Sequence, residues 1–187
     1  SDTHIPDKPR AEAIAQAVQG KTGRVITAET NRKRDLAPQL YDLTSLQRDA
    51  NKMLGFTADK TLKLAQSLYE THKALTYPRT DSRYLPDDMI PKVKQAMQML
   101  PANYQPLVPG ALPEGKLPVS KRVFDASKVT DHHALLPTTR RVDTSRMTAD
   151  ERQLWDMVVR RMLAAFYPPC EYDATRVITE VEGHTFR

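Results

Sequence analysis

At 187 residues, with 40% hydrophobic and 27% charged side chains, the chain is long enough for one sizeable core and too apolar for disorder along most of its length. Its 28 Lys and Arg against 23 Asp and Glu leave a net charge of +5 and a pI near 9.3, a surplus that attracts polyanions but is equally met in proteins with a merely solvated basic surface. The one cysteine, Cys170, excludes an internal disulfide framework and a cysteine-built zinc site; with no apolar run near the ~20 residues of a membrane span and no signal-peptide layout, a soluble protein of the reducing cytoplasm is expected.

Residues 8–19 read as a short helix with Ala11, Ile14, Ala15 and Val18 on one side and Gly20 closing it. Gly23–Thr30 and, far along the chain, Ala174–Glu182 are β-rich runs, which can pair with each other or with segments outside this chain. Between them the pattern is mostly helical. Thr44 and Gln47 have capping-box spacing ahead of a helix carrying Leu46, Ala50, Met53 and Leu54, with Gly55 ending it. Thr57 or Asp59 caps the next helix, which runs to about His72 and makes residues 44–72 a helix-turn-helix candidate. A third helix is expected near 87–99, with Pro91 in its first turn. Residues 101–119, with five prolines, read as a long loop. The plainest helix opens at Thr148 with Glu151 as capping-box partner, presents Leu154, Trp155, Val158, Met162 and Phe166 as core, and stops at Pro168-Pro169.

The chemistry concentrates at Tyr77-Pro78-Arg79-Thr80-Asp81-Ser82-Arg83. A residue before proline is pushed out of the helical region, so Tyr77 sits on extended backbone, displayed rather than packed along a helix. A phenol with a pKa near 10 is only about one part in a thousand ionised at neutral pH, so its attack on phosphorus needs a neighbouring cation. Arg79 is the first candidate, and its guanidinium also matches phosphate oxygens bidentately. Arg83 either shares that task or binds backbone. The bland alternative makes Tyr77-Pro78 a buried aromatic turn and Arg79 and Asp81 a local ion pair. Asp131-His132-His133 offers hydrogen bonds or charge to phosphate, and without a third ligand at helical spacing it is weak as a metal site.

Leu68-Tyr69-Glu70 with Leu75-Thr76-Tyr77-Pro78-Arg79-Thr80-Asp81-Ser82-Arg83-Tyr84-Leu85 resembles the nucleophile region of type IA DNA topoisomerases, chiefly of the bacterial topoisomerase III kind. Leu40–Gln47 and Leu54-Gly55-Phe56 resemble the entry to the same catalytic domain, and Thr130–Thr138 resembles the family's histidine motif. The resemblance implies that Tyr77 attacks one DNA strand and holds a 5′-phosphotyrosine bond, that Arg79 assists tyrosine and phosphate, and that His132 contacts the phosphate. Thr80, Ser82, Arg83 and His133 would contribute to DNA binding, with His133 equally suited to packing or backbone bonding.

The implied fold is α+β and predominantly helical: a helix-turn-helix-containing catalytic tyrosine domain, 39–170, inserted in a small β arch whose parts are residues 1–38 and 171–187. The resemblance further implies DNA, chiefly single-stranded, as substrate in the bacterial cytoplasm at the nucleoid, no membrane partner, and a monomer. It implies Mg²⁺ held by a metal-binding (TOPRIM) domain elsewhere in the same polypeptide. No Asp-x-Asp pair of that domain occurs here, so no metal ligand is expected in this chain and its isolated activity should be nil or nearly so. The basic clusters Arg32-Lys33-Arg34, Lys121-Arg122, Arg140-Arg141 and Arg160-Arg161 read as solvated surface or as parts of a DNA groove. A non-catalytic helix-turn-helix module is the alternative function, weakened by the mixed polar face of its second helix, Asp59, Lys60, Lys63, Gln66 and Glu70.

Overall fold

The computed structural model describes Ile5 and residues 7–187; residues 1–4 and 6, the start of the expected 1–38 flank, lie outside it. The chain is mixed α/β, with helices and one three-stranded sheet, and it divides into two compact units. One unit takes in the chain up to Asp35 together with Cys170–Arg187; the other is Leu36–Pro169. Among the described residues no helix is long and apolar enough to cross a membrane.

In the first unit, α1 (Lys8–Val18) carries Pro9 in its first turn, where the missing N–H costs nothing. The β-rich runs at the two ends are antiparallel partners: β1 (Arg24–Asp35) pairs with β2 (Cys170–Val181) from Arg24 opposite Glu180 to Asp35 opposite Cys170. Both strands are longer than the hydrophobic runs, because the ladder continues through polar positions. Thr30 and Thr175 join hydroxyls at 2.9 Å, and Arg32 forks to Glu171 at 3.2 Å and Asp173 at 3.5 Å. β2 then turns at Gly183 onto β3 (His184–Phe186).

The second unit holds the core. α2 (Leu43–Leu54) and α3 (Ala58–Glu70) are joined through Gly55, whose φ of +69° supplies the left-handed helix stop. The cap of α2 corrects the expected one: Asp42 and Ser45 form the capping box, and Thr44 lies inside the first turn. Leu43 is fixed as the first helical residue because its N–H is given to Thr80 O at 2.9 Å, and Gln47 instead donates to Ala58 O at 3.0 Å. Of the two expected caps, Thr57 is the one that caps α3, its hydroxyl oxygen accepting from the Lys60 N–H.

After a 3₁₀ turn over Asp87–Met89, α4 (Ile90–Gln98) has Pro91 in its first turn. The proline-rich stretch is not the long loop expected from its composition. It folds as a 3₁₀ segment (Ala102–Leu107), the short α5 (Val108–Ala111) and a turn at Pro113–Gly115, with Tyr104, Ala111 and Leu112 buried. Pro109 and Pro113 sit in first turns, where a fixed φ favours a helix start instead of breaking one. α6 (Ala149–Ala165), opened by the Thr148–Glu151 capping box, lays Leu154, Trp155, Val158, Met162 and Leu163 against α3 and the segments that carry Leu75, Leu85, Leu135 and Leu136.

Glu151 does more than cap. Its carboxylate accepts from Ser67 Oγ at 2.6 Å and from the Thr148 N–H at 2.7 Å, and faces His72 Nε2 at 3.4 Å, so it clamps α3 to the start of α6. Burial alone would raise its pKa; the Ser67 and Thr148 hydrogen bonds outweigh burial and hold the carboxyl below its ordinary 4.5. A lowered folded-state pKa means stability that is present above 4.5 and lost as pH falls through the folded value. Glu151→Gln should therefore lower the urea-unfolding free energy by about 1–3 kcal/mol at pH 7 and by progressively less toward pH 3, with wild type and variant converging in acid.

Candidate functional site

Two segments far apart in sequence build the site. Thr76 donates its N–H to Leu136 O at 2.9 Å, its hydroxyl accepts from the Leu136 N–H at 3.0 Å, Leu75 bridges Pro137, and Thr138 donates to Ala74 O at 3.1 Å. Ala134 closes the other end on Tyr84 O at 3.0 Å. The segment Tyr77–Arg83 is thereby held between two backbone clasps, with a third from its middle, Thr80 O, to α2.

Tyr77 lies on this extended stretch and is 37% exposed, while Pro78 behind it is buried. Its ring meets His132 at a centroid distance of 4.3 Å and takes the edge of Tyr69 at 5.5 Å. The rings fix the phenol without using its oxygen, which has no hydrogen-bond partner among the described residues. Arg79 is exposed and likewise has no acid partner among them; Asp81 accepts from Thr130 Oγ1 at 3.0 Å, so the local Arg79–Asp81 ion pair does not form. Arg79 and His132 line one open groove of about 590 Å³ with Thr44, Asp81, Thr130 and Asp131. His132 also borders a smaller hollow of about 210 Å³ together with Tyr77 and His133. Asp131 and His132 are common to both.

The remaining expected site residues are placed differently. Thr80 and Ser82 are each 5% exposed and their hydroxyls are spent on protein backbone, Thr80 donating to His132 O at 3.1 Å and Ser82 to Lys128 O at 3.0 Å. They hold the histidine strand against the tyrosine strand. His133 turns its Nδ1 to Ala134 O at 2.7 Å. Arg83 points away from Tyr77, giving Nε to Asp42 at 2.8 Å. Burial would raise Asp42, but hydrogen bonds from Ser45 and the Arg83 guanidinium keep its carboxyl below the ordinary range. Arg83 therefore ties the tyrosine strand to the cap of α2.

Thr44, a groove residue, and Tyr69, which touches the Tyr77 ring, carried no signal strong enough to be picked out. Thr44 has the spacing of a cap and is instead a groove residue on the first turn of α2. Tyr69 lies at the end of α3, next to its last residue Glu70, and its contact with Tyr77 depends on where the chain returns after the helix. Among the described residues no three His, Cys, Asp or Glu side chains gather into a metal-binding cluster. The donors present here do not by themselves fit a magnesium ion.

The whole chain, residues 1–187, matches the family model described as DNA topoisomerase. The DNA topoisomerase 3 of Bacillus licheniformis is 43% identical over 176 residues, 92% of this chain and 24% of that protein; that of Bacillus subtilis is 40% identical over 173 residues, with the same shares. The chain thus spans about a quarter of the length of these relatives. The full-length topoisomerase I of Thermotoga maritima has a similar fold, with a TM-score of 0.65 and 22% identity over 99% of this chain and 29% of that one. The chain belongs to the type IA DNA topoisomerase family.

Proposed function

We propose that this chain supplies the nucleophile half of a DNA strand-passage site, with Tyr77 as nucleophile, Arg79 and His132 as phosphate-stabilising groups, and Thr80 and Ser82 as positioning residues. The observation that carries the reading is that His132, whose ring meets the exposed Tyr77 phenol in one hollow, also lines the adjoining groove that holds Arg79, a guanidinium with no acid partner among the described residues. The phenolic oxygen bonds to phosphorus, the bond to the 3′ oxygen breaks, and the phenol's proton is lost while the 3′ oxygen gains one. The protein keeps the 5′ phosphate. One phosphodiester is exchanged for another, so the released 3′ hydroxyl can reverse the step after a strand has passed. Arg79 can fork onto the non-bridging oxygens, where charge accumulates, and a His132 ring N–H can donate to the same group.

Residues 39–170 act in this reading as a tyrosine domain inserted in a β arch formed by 1–38 and 171–187. Magnesium belongs to a metal-binding domain of the same polypeptide, outside this chain, where it would help order the DNA phosphate. The substrate is single-stranded DNA, and the parent enzyme works as a monomer in the bacterial cytoplasm at the nucleoid. The helix-turn-helix alternative draws no support from α3, whose Lys60 pairs with Asp150 at 2.7 Å and whose Lys63 pairs with Asp59 at 2.8 Å, leaving a neutralised face.

The test places residues 1–187 in the matching quarter of the Bacillus licheniformis relative, adds magnesium and a single strand labelled at one end, and stops the reaction with denaturant. A 3′ label should move into the protein band and a 5′ label should not, because the protein retains the 5′ phosphate of the downstream piece. Transfer of the 5′ label, or no adduct from a chimera that folds, contradicts the proposal. Arg79→Gln should lower the cleavage rate by about 10²–10³-fold, with Arg79→Lys restoring part of it because charge returns without the bidentate fork.

A further inference from the structure

A second pocket, within the unit Leu36–Pro169, is not used by the tyrosine reading. It encloses about 250 Å³ and is lined by Arg48, Arg83, Arg122 and Arg161 with Gln39 and Ser45. Guanidinium groups stay charged in proteins, so four around one small space repel each other unless anions intervene. Two carboxylates do so. Asp42 takes Arg83 Nε at 2.8 Å, and Asp49 takes Arg161 and, at 3.5 Å, Arg48 Nε. Four cations against two acids leave a surplus of two positive charges.

The surplus is not spread evenly. Arg161 is consumed by Asp49, the Tyr41 hydroxyl at 2.9 Å and Gln39 O at 3.4 Å, and its guanidinium lies 4.0 Å over the Tyr41 ring. Arg83 is held by Asp42 through one of its five N–H groups. Among the described residues Arg48 has only its long contact to Asp49, and it is largely exposed. Arg122 has no acid partner among the described residues, and its Nε is shielded from solvent with no acceptor. A covered donor left unsatisfied is costly, and an oxyanion in the pocket would supply the acceptor it lacks. Ser45, beside these groups, already gives its N–H and hydroxyl to Asp42, so the arginines supply the pocket's free donors.

We propose that this pocket binds a phosphate group, with Arg48 and Arg122 as its grips and Arg83 and Arg161 as fixed walls. The inference does not rest on the role given to Tyr77. The phosphate is either that of a DNA backbone running past the tyrosine strand or that of a free mononucleotide, and the same experiment separates them.

The side-chain Nε–Hε signals of the ¹⁵N-labelled 187-residue chain are followed by NMR during titration with inorganic phosphate, thymidine monophosphate and a short oligothymidylate. The Arg48 and Arg122 signals should shift saturably while that of exposed Arg140, outside the pocket, stays still. Arg122→Gln and, separately, Arg48→Gln should weaken the partner arginine's response on the order of tenfold, and Tyr77→Phe should leave it unchanged. If oligothymidylate saturates the signals at far lower concentration than the monophosphate, the source is a DNA backbone, and Arg122→Gln should then reduce the salt dependence by about one phosphate contact. Comparable affinity for both marks a mononucleotide-type site. The proposal is overturned if no ligand gives a saturable shift, if all surface arginines shift alike, or if both folded variants bind phosphate as tightly as wild type.

Discussion

Tyr77→Phe in the chimeric enzyme should lower covalent adduct formation by roughly 10⁴-fold or more while leaving folding almost untouched. The two halves of that expectation come from different observations. Under the proposed mechanism the substitution removes the oxygen that bonds phosphorus, and the hydroxyls of Thr80 and Ser82 do not replace it, since both are buried and donate to backbone carbonyls. The same oxygen has no hydrogen-bond partner among the described residues, and the contacts to His132 and Tyr69 are made by the ring, which phenylalanine keeps. Urea unfolding of the variant should match wild type to about 0.5 kcal/mol. A large loss of stability would mean that the phenol is a structural group, and residual adduct at wild-type rate would mean that another residue is the nucleophile.

Trp155→Ala should be the most damaging change to stability, about 3–5 kcal/mol by urea unfolding, and should spread to the site. Trp155 is 2% exposed in the middle of α6, meets the Tyr104 ring at 5.7 Å, and gives its indole N–H to Ala74 O at 3.3 Å. Ala74 O also accepts from the Thr138 N–H, so the carbonyl keeps a partner when the indole is lost and the cost is mainly the cavity. Because Ala74 begins the strand that presents Tyr77, the variant's amide exchange should rise at Leu75 and Thr76 more than in α2. Trp155→Phe fills most of the space and should cost less than half as much.

Local rules carried α6, α3 and the two β-rich runs, because a capping box, an apolar stripe and β-branched residues act over a few neighbours; that the two runs pair with each other, and antiparallel, is a long-range outcome the sequence left open. Where two local readings compete, tertiary contacts decide. Asp42-x-x-Ser45 and Thr44-x-x-Gln47 both fit a cap, and the bond from Leu43 N to Thr80 O selects the first. Counting prolines misjudged 101–119 because a proline in a first turn starts a helix as readily as one in mid-helix ends it. The tyrosine motif was legible residue by residue. Its approach to His132 depends on the clasp of Ala74–Thr76 with Leu136–Thr138, more than fifty residues away, which no spacing encodes. Arg122 and Arg161 illustrate the same limit: as basic doublets they read as surface, and folding brings them together with Arg48 and Arg83.

The most direct test of the central claim is to digest the DNA-linked chimera with trypsin and nuclease and find the modified residue by mass spectrometry. Cleavage after Lys73 and Arg79 yields the peptide Ala74–Arg79, in which Tyr77 is the one tyrosine. The nucleotide mass should sit on that peptide and fragment to Tyr77. A nucleotide on any peptide lacking Tyr77 would contradict the account.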